Sequence, residues 1–373
     1  MNKPRSRFVR VLRVLGWGSV VLVALVCLAT LVGYVRSGND CPSPGGSVPA
    51  DAIRTWIHCE YGGPEVLRLE SLPRPALRDS QVLVRVHATS INAGDWRIMR
   101  GEPVIARYAM GLRKPSDIAL GTDFAGVVEA VGRAVTRFQP GDSVWGARTG
   151  AFAEHVIARE ALVMPMPAGL SFVQAAAVPV AAITALQGLR DQGKLRAGQH
   201  VLVNGASGGV GTFTVQMAKA LGAEVTGVCS TRNVQLVRSL GADHVIDYTK
   251  EDFATGPAQY DLVIDNVGNR SLGEFRRVLK PGGMLVLIGG GSGRWFSSIP
   301  RALFVALRAK LGDQHARFFI AEFNAPDLTL INDWLATGRI VPAVDTVFGF
   351  NDLPDAVRYM ERGARAKVVV TVP

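Results

Sequence analysis

The stretch richest in residues able to do chemistry is Val201–Arg232, VLVNGASGGVGTFTVQMAKALGAEVTGVCSTR. Gly205, Gly208, Gly209 and Gly211, with Ser207 and Val210 among them, make a turn nearly free of side chains between an apolar run and a helical segment. Such a turn brings backbone amides against a diphosphate, whose charge is met by the N-terminus of the helix that follows. Glycine turns join strands to helices in many folds. The order strand, turn, helix, strand makes dinucleotide binding the stronger reading. An acid that would bind the ribose 2′-hydroxyl is expected about 20 residues further on; Ser230, Thr231 and Arg232 stand there instead. A carboxylate would repel a 2′-phosphate, whereas a hydroxyl and a guanidinium bind it. The pattern favours NADP(H) over NAD(H). The plain alternative is that Arg232 is a solvated residue at a helix start.

The elements that must position this turn continue along the chain. ADHVIDY is a further short strand ending near Tyr248, YDLVIDNVG another, and GGMLVLIGGG a fifth. Strands separated by helices build a doubly wound parallel sheet, so an α/β fold is expected. Asn266, Gly268 and Gly289 fall at strand C-terminal ends, where such sheets bind ligands. Turn chemistry alone accounts for Gly268 and less well for Asn266.

Length and composition suit about two domains: 373 residues, 48% hydrophobic, 19% charged, 41 glycines. Half of the formal charge of +10 lies in residues 1–54, where seven Lys/Arg face Asp40 and Asp51. The rest has no basic run, which argues against a nucleic-acid partner. Cys27, Cys41, Cys59 and Cys229 lack metal or redox spacing and are expected as isolated thiols rather than a disulfide framework.

Val14–Val35 carries no charge over 22 residues, enough for a single membrane-spanning helix. A cleaved secretory signal is the lesser reading, because the apolar run is long and no small-x-small site follows. Five cationic residues precede the span and Arg36 alone closely follows, which puts the N-terminus in the cytoplasm and the body beyond the membrane. A dinucleotide cofactor argues for the opposite side, so the face stays open. The expected organisation is a basic tail (1–13), a transmembrane helix (14–35) and a Gly/Pro/Ser linker (36–52). The folded body follows, beginning near residue 53.

Before the glycine turn, VLVRVHATSINAGDWR and GTDFAGVVEAVG read as short strands punctuated by turn residues, a small antiparallel unit. Together with YGGPEVL, GDSVWG, AAITALQGL, NGASGGVG, LGADHVIDY, LKPGGMLVLIG and GFNDLPDAVRYMERGARAKVVVTV, these segments resemble the medium-chain dehydrogenase/reductase superfamily. The likeness is to its zinc-independent quinone oxidoreductase and enone reductase branch, and it covers nearly everything after residue 55. The resemblance implies a GroES-like substrate domain in two pieces (53–177 and 323–373), split around an NADP(H)-binding Rossmann domain (178–322). It also implies hydride transfer from NADPH to a quinone or an α,β-unsaturated carbonyl. An alcohol or carbonyl dehydrogenase, or a non-catalytic NADPH-binding membrane adaptor, is the alternative.

Zinc-dependent members of the family carry a cysteine and a Gly-His-Glu where this chain has Asn92-Ala93-Gly94-Asp95 and Gly121-Thr122-Asp123, so no metal is expected. The resemblance makes Asn92 the candidate for polar contact near the nicotinamide, with Asp95 either catalytic or an anchor of its own loop. Thr184 and Lys367 match positions near the cofactor, although Lys367 at a strand start also suits the surface. Trp96, Arg97 and Ile98 stand where a tyrosine is frequent, which leaves Tyr108 as a substitute proton donor. Residues 292–319 are basic and amphipathic, fitting a membrane surface or, as the family implies, a helix at the substrate cleft or a homodimer edge. His315 within them is expected to be a surface residue.

Overall fold

The computed structural model describes residues 31, 41–42, 51–257, 259–288 and 313–373. The expected transmembrane helix at 14–35, apart from Leu31, lies outside the described residues, as do Gly289 and most of 292–319. Among the described residues no helix is long and apolar enough to cross a membrane.

The first part of the body is β-rich. β1 (Ile53–His58) and β2 (Leu67–Leu72) form an antiparallel pair. β3 (Gln81–Ile91), β4 (Asp123–Val131), β5 (Ser143–Ala147), β6 (His155–Arg159) and β7 (Val163–Pro165) follow. The second part opens with β8 (His200–Asn204), β9 (Glu224–Cys229), β10 (His244–Asp247), β11 (Tyr260–Asp265), β12 (Leu279–Leu287) and β13 (His315–Phe318). The chain then returns through β14 (Val344–Gly349) and β15 (Lys367–Thr371) to pair with β3. The longer helices are α1 (Ala93–Arg100), α2 (Pro179–Gln187), α3 (Gly209–Ala220), α4 (Ala325–Ala336) and α5 (Leu353–Glu361).

β8 to β13 form a six-stranded parallel sheet in the order β10-β9-β8-β11-β12-β13. Strand order therefore reverses between β8 and β11, the switch point at which such sheets bind ligands. Val201, Leu202 and Val203 of β8 are fully buried because helices cover both faces, which explains the unbroken apolar run. β14, β15, β3, β4, β5 and β7 line up in a seven-stranded sheet to which β6 adds through β3. It is antiparallel except for β14 against β15. Two features depart from expectation. Residues 315–318, read as part of an amphipathic helix, pair with β12 as the sixth strand; exposed His315 is the first of them.

The second departure concerns the cysteines. Cys41 and Cys59 form a disulfide with their Cα atoms 5.9 Å apart. Cys59 follows β1 and Cys41 stands beside it, a proximity that a sequence separation of 18 does not announce. Cys229 is a free, buried thiol at the end of β9, its pKa pushed up to about 11 by burial.

Candidate active site

Three adjacent strands deliver one buried polar cluster. β3 ends at Ile91, and Asn92 turns the chain into α1 from an extended conformation. The Asp95 carboxylate accepts the Asn92 backbone N–H at 2.7 Å, a reciprocal cap that starts the helix, and Gly101 at φ 62° ends it. Asp123 opens β4 directly across from Ser90, and Lys367 opens β15 beside Ile91. Asp123 Oδ2 accepts from Ser90 Oγ at 2.8 Å, Asn92 Nδ2 at 2.9 Å and Lys367 Nζ at 3.1 Å. Its Oδ1 accepts the Val180 N–H at 2.9 Å, so the carboxylate also meets the positive end of α2. Lys367 Nζ donates to Asn92 Oδ1 at 2.5 Å. Asp123 is 0% and Lys367 2% exposed. Full pairing is what makes two buried charges tolerable.

This arrangement does not fit zinc. The cation position beside Asp123 is filled by an ammonium, both carboxylate oxygens are engaged, and neither histidine nor cysteine is among the partners. Catalytic zinc takes about three N, O or S ligands with one position left open.

Asp95 lies beside this cluster and lines a cavity of about 240 Å³ with Tyr61, Met110, Gly121, Thr122 and Thr149. Burial pushes its pKa up from 3.8 to about 7, and the Asp123 charge adds to the rise. The Asn92 N–H and the Lys367 ammonium oppose it. The group thus holds a proton near neutrality, the condition for a general acid. Tyr61 donates to the carbonyls of Met110 and Gly111 at 3.0 and 2.7 Å, and burial raises it to about 12. Tyr108 is 37% exposed and does not line this cavity.

The glycine turn sits at the switch point. Gly205 adopts φ 80°, open to glycine and costly for other residues. A Cβ on Gly211 would collide with the Gly205 carbonyl oxygen, so only glycine lets α3 start this close to the end of β8. Ala366 N donates to the Ser207 carbonyl at 2.6 Å, locking the turn to the residue preceding β15. A Cβ on Gly209 would stand 3.0 Å from Lys367 Cδ, so the lysine stem runs from the start of α3 to the polar cluster. Ser207, Gly208 and Val210 form the rest of this edge.

Several of the residues expected to hold a dinucleotide lie beside this turn. Asn266 follows β11 and donates to the Asn204 carbonyl at 3.2 Å, while its buried Oδ1 has no partner. Asn233 Nδ2 donates to Ser207 Oγ at 3.0 Å and to Ser230 Oγ at 3.2 Å, and its buried Oδ1 is likewise unpartnered. Two orphaned acceptors flanking a turn without side chains suit a polar ligand. Arg232 is exposed and donates to the Gly363 carbonyl at 3.0 Å. Tyr248, 57% exposed, follows β10 in the same region. Thr231 donates to Asp247 at 2.6 Å; that hydrogen bond, with those from Thr249, draws the Asp247 pKa down to about 2. Thr184 lies on α2, its hydroxyl donating to the Val180 carbonyl at 2.6 Å.

Lys367 is buried, not on the surface, because β15 is an inner strand and its ammonium has two oxygen partners. The sequence reading gave no positive role to Asp123, Ser90 or Asn233. The one signal for Asp123 was its place in Gly121-Thr122-Asp123, and nothing local marked Asn233.

Residues 78–168 match the family profile described as an alcohol dehydrogenase GroES-like domain, and residues 240–370 that of a zinc-binding dehydrogenase. The chain is 33% identical to 2-methylene-furan-3-one reductase of Solanum lycopersicum, covering 87% of this chain and 80% of the relative. It is 33% identical to a chloroplastic NADPH-dependent alkenal/one oxidoreductase of Arabidopsis thaliana, covering 90% and 85%. The quinone oxidoreductase structure from Coxiella burnetii superposes with a TM-score of 0.74 at 28% identity, covering 86% of this chain and all of that one. With the reversed strand order, the glycine turn and the split β-rich sheet, these likenesses carry one conclusion: the chain belongs to the medium-chain dehydrogenase/reductase superfamily, in its quinone oxidoreductase branch.

Proposed function

We propose that this protein is an NADPH-dependent oxidoreductase that reduces quinones or α,β-unsaturated carbonyls. The carrying observation is the continuity of two sites: the Lys367 stem passes from Gly209 at the glycine turn to Asn92 and Asp123 beside the Asp95 cavity. A dinucleotide held at the glycine turn would have its far end on the side of this polar cluster.

When bound, NADPH supplies the hydride. The amides of Gly205–Gly211 at the start of α3 would hold its diphosphate. Ser230, Arg232 and Tyr248 take the 2′-phosphate, and the unpartnered oxygens of Asn233 and Asn266 offer acceptors along the crevice. Thr184 and Lys367 border the nicotinamide end. Lys367 and Asp123 use their charge to fix Asn92 and so the start of α1, a positioning role, because their hydrogen bonds are already made. Asp95 is the catalytic acid. Its protonated carboxyl would give its proton to the enolate or hydroquinone anion that hydride addition leaves, so that the substrate gains one hydride and one proton, two electrons and two hydrogens in all, and Asp95 is left as a carboxylate.

The body comprises a GroES-like unit (53–177 and 323–373) around an NADP(H)-binding unit (178–322), tethered through residues 14–35. The Cys41–Cys59 disulfide supports a body in an oxidising compartment, in agreement with the basic tail. Cofactor supply turns on that topology.

The test is full-length protein in detergent, given NADPH or NADH and a panel of quinones and enones, with nicotinamide absorbance followed. Acceptor-dependent loss with NADPH supports the reading. NADPH binding without turnover on any acceptor would make the protein a dinucleotide-binding adaptor instead.

A further inference from the structure

Part of the wall of the Asp95 cavity comes from a segment that is too short in regular structure to hold itself. Between α1 and β4 the chain makes a 3-10 turn, Val104–Ala106, one helical turn, Arg107–Met110, and a tight loop; Ala109, Met110 and Pro115 line the cavity. Single turns of this kind have little stability of their own. A methionine side chain, with its flexible bonds, defines a wall only where its backbone is fixed. What fixes Met110 must therefore come from outside the helical turn.

Tyr61 supplies it. Its hydroxyl donates to the Met110 carbonyl at 3.0 Å and to the Gly111 carbonyl at 2.7 Å. The Ser116 N–H donates to the same Met110 carbonyl at 2.7 Å. Gly111, at φ 107°, lets the loop close this tightly, because a Cβ there would collide with the Lys114 carbonyl oxygen. Burial keeps the phenol protonated, so it remains a donor across the working pH range.

The tyrosine is itself held to the helix that begins at the acid. The Arg107 guanidinium lies 4.3 Å from the centre of its ring and donates to the Gly101 and Arg100 carbonyls, both at 2.9 Å, where α1 ends. A Cβ on Gly101 would stand 2.6 Å from Tyr61 Cδ1, so the ring packs directly on that end. The Gly62 N–H donates to the Met99 carbonyl at 3.2 Å. Asp95 sits in the first turn of the same helix. The acid and the Met110 wall thus keep their separation through Tyr61.

Resting on the reductase reading, we propose that Tyr61 is the positioning residue that sets how large an acceptor the Asp95 cavity admits, by fixing Met110 in its wall. With both hydrogen bonds made, the cavity of about 240 Å³ suits a compact enone. Without them the wall yields to a bulky one.

The experiment compares cyclohexenone with chalcone, an enone carrying two phenyl groups, on the full-length protein. Tyr61→Phe keeps the ring and removes both hydrogen bonds. It should raise the ratio of kcat/KM for chalcone to that for cyclohexenone by about ten-fold, the worth of one or two such bonds, with the change carried by KM. Met110→Ala should raise the same ratio, and adding Tyr61→Phe to it should change the ratio by less than about two-fold, because the two residues act on one wall. The pH limb assigned to Asp95 should stay where it is. An unchanged ratio, effects of the two substitutions that multiply, or a displaced pH limb would overturn the inference while the reductase reading stands. Hydrogen exchange tests the clamp without turnover: in Tyr61→Phe the amides of residues 107–116 should exchange about ten-fold faster while those of β3 hold. Exchange unchanged at 107–116, or faster throughout the protein, counts against the inference. Failure of the wild type to turn over any acceptor counts against the reductase reading, and the exchange result then decides the clamp by itself.

Discussion

Lys367 and Asp123 are 244 residues apart in the chain, yet the ammonium stands 3.1 Å from the carboxylate in the buried floor between the two sheets' sites, with the Asn92 amide bonded to both. Removing the cation strands a buried carboxylate. Lys367→Met should lower the unfolding free energy by about 3–5 kcal/mol, whereas the double variant Lys367→Met/Asp123→Asn should recover part of it. Denaturant titration of both, with the Asp123→Asn single variant, measures the coupling. A loss in the double variant equal to the sum of the two single losses would show that the charges are not coupled.

Asp95 makes activity and stability depend on pH in a defined direction. As the proposed catalytic acid it must be protonated, so kcat/KM should fall as pH rises through about 7. Asp95→Asn, which keeps an oxygen acceptor for the Asn92 N–H, should flatten that limb and lower the rate by about 10²-fold or more. For stability, the folded pKa lies above the unfolded value of 3.8. The contribution is therefore fully present below 3.8 and is lost as pH rises to about 7. Thermal melts across that window should show a steeper decline for the wild type than for Asp95→Asn, by up to about 4 kcal/mol.

Arg232 should discriminate the cofactors. Arg232→Ala is expected to weaken NADPH by about 10–100-fold and to leave NADH nearly unchanged, since its partner on the chain is only the Gly363 carbonyl. Isothermal titration with both dinucleotides reads the difference. Similar losses for both would remove the 2′-phosphate assignment.

The Gly211 position has no room for a methyl group. Gly211→Ala must push α3 away from the Gly205 carbonyl, so NADPH affinity should drop along with about 1–3 kcal/mol of stability. Gly141→Ala is a useful contrast: nothing lies near its Cβ, but its φ of 98° still strains alanine, so it should cost stability without touching affinity.

The disulfide is open to direct measurement. A maleimide probe should label Cys41 and Cys59 after reduction and neither before it, whereas Cys229 should react after denaturation. Labelling of the two without reductant would exclude the bridge. A compartment-sensitive reporter at the C-terminus then tests the proposed tether at 14–35 and the side of the membrane on which it would hold the body.

Local sequence was enough for the glycine turn and the elements that flank it. The apolar run of β8, the glycines and the following helix are consecutive, and each follows from what neighbouring residues allow: two buried faces, a backbone at φ 80°, a helix N-terminus near the turn. Ser230 and Arg232 were legible for the same reason, because β9 ends a fixed number of residues after that turn. The order of the segments along the chain also carried the family, hence the split sheet.

Tertiary structure decided the rest. Whether Lys367 would be buried depended on β15 inserting beside β3, and whether Asp123 would matter depended on β4 placing it opposite Ser90. The pairing of Cys41 with Cys59 and the orphaned oxygen of Asn233 likewise arise only when distant segments meet. Periodicity reports which face of an element is buried, and motif spacing reports turns. The partner of a buried charge is chosen by strand pairing across hundreds of residues, to which local pattern is blind.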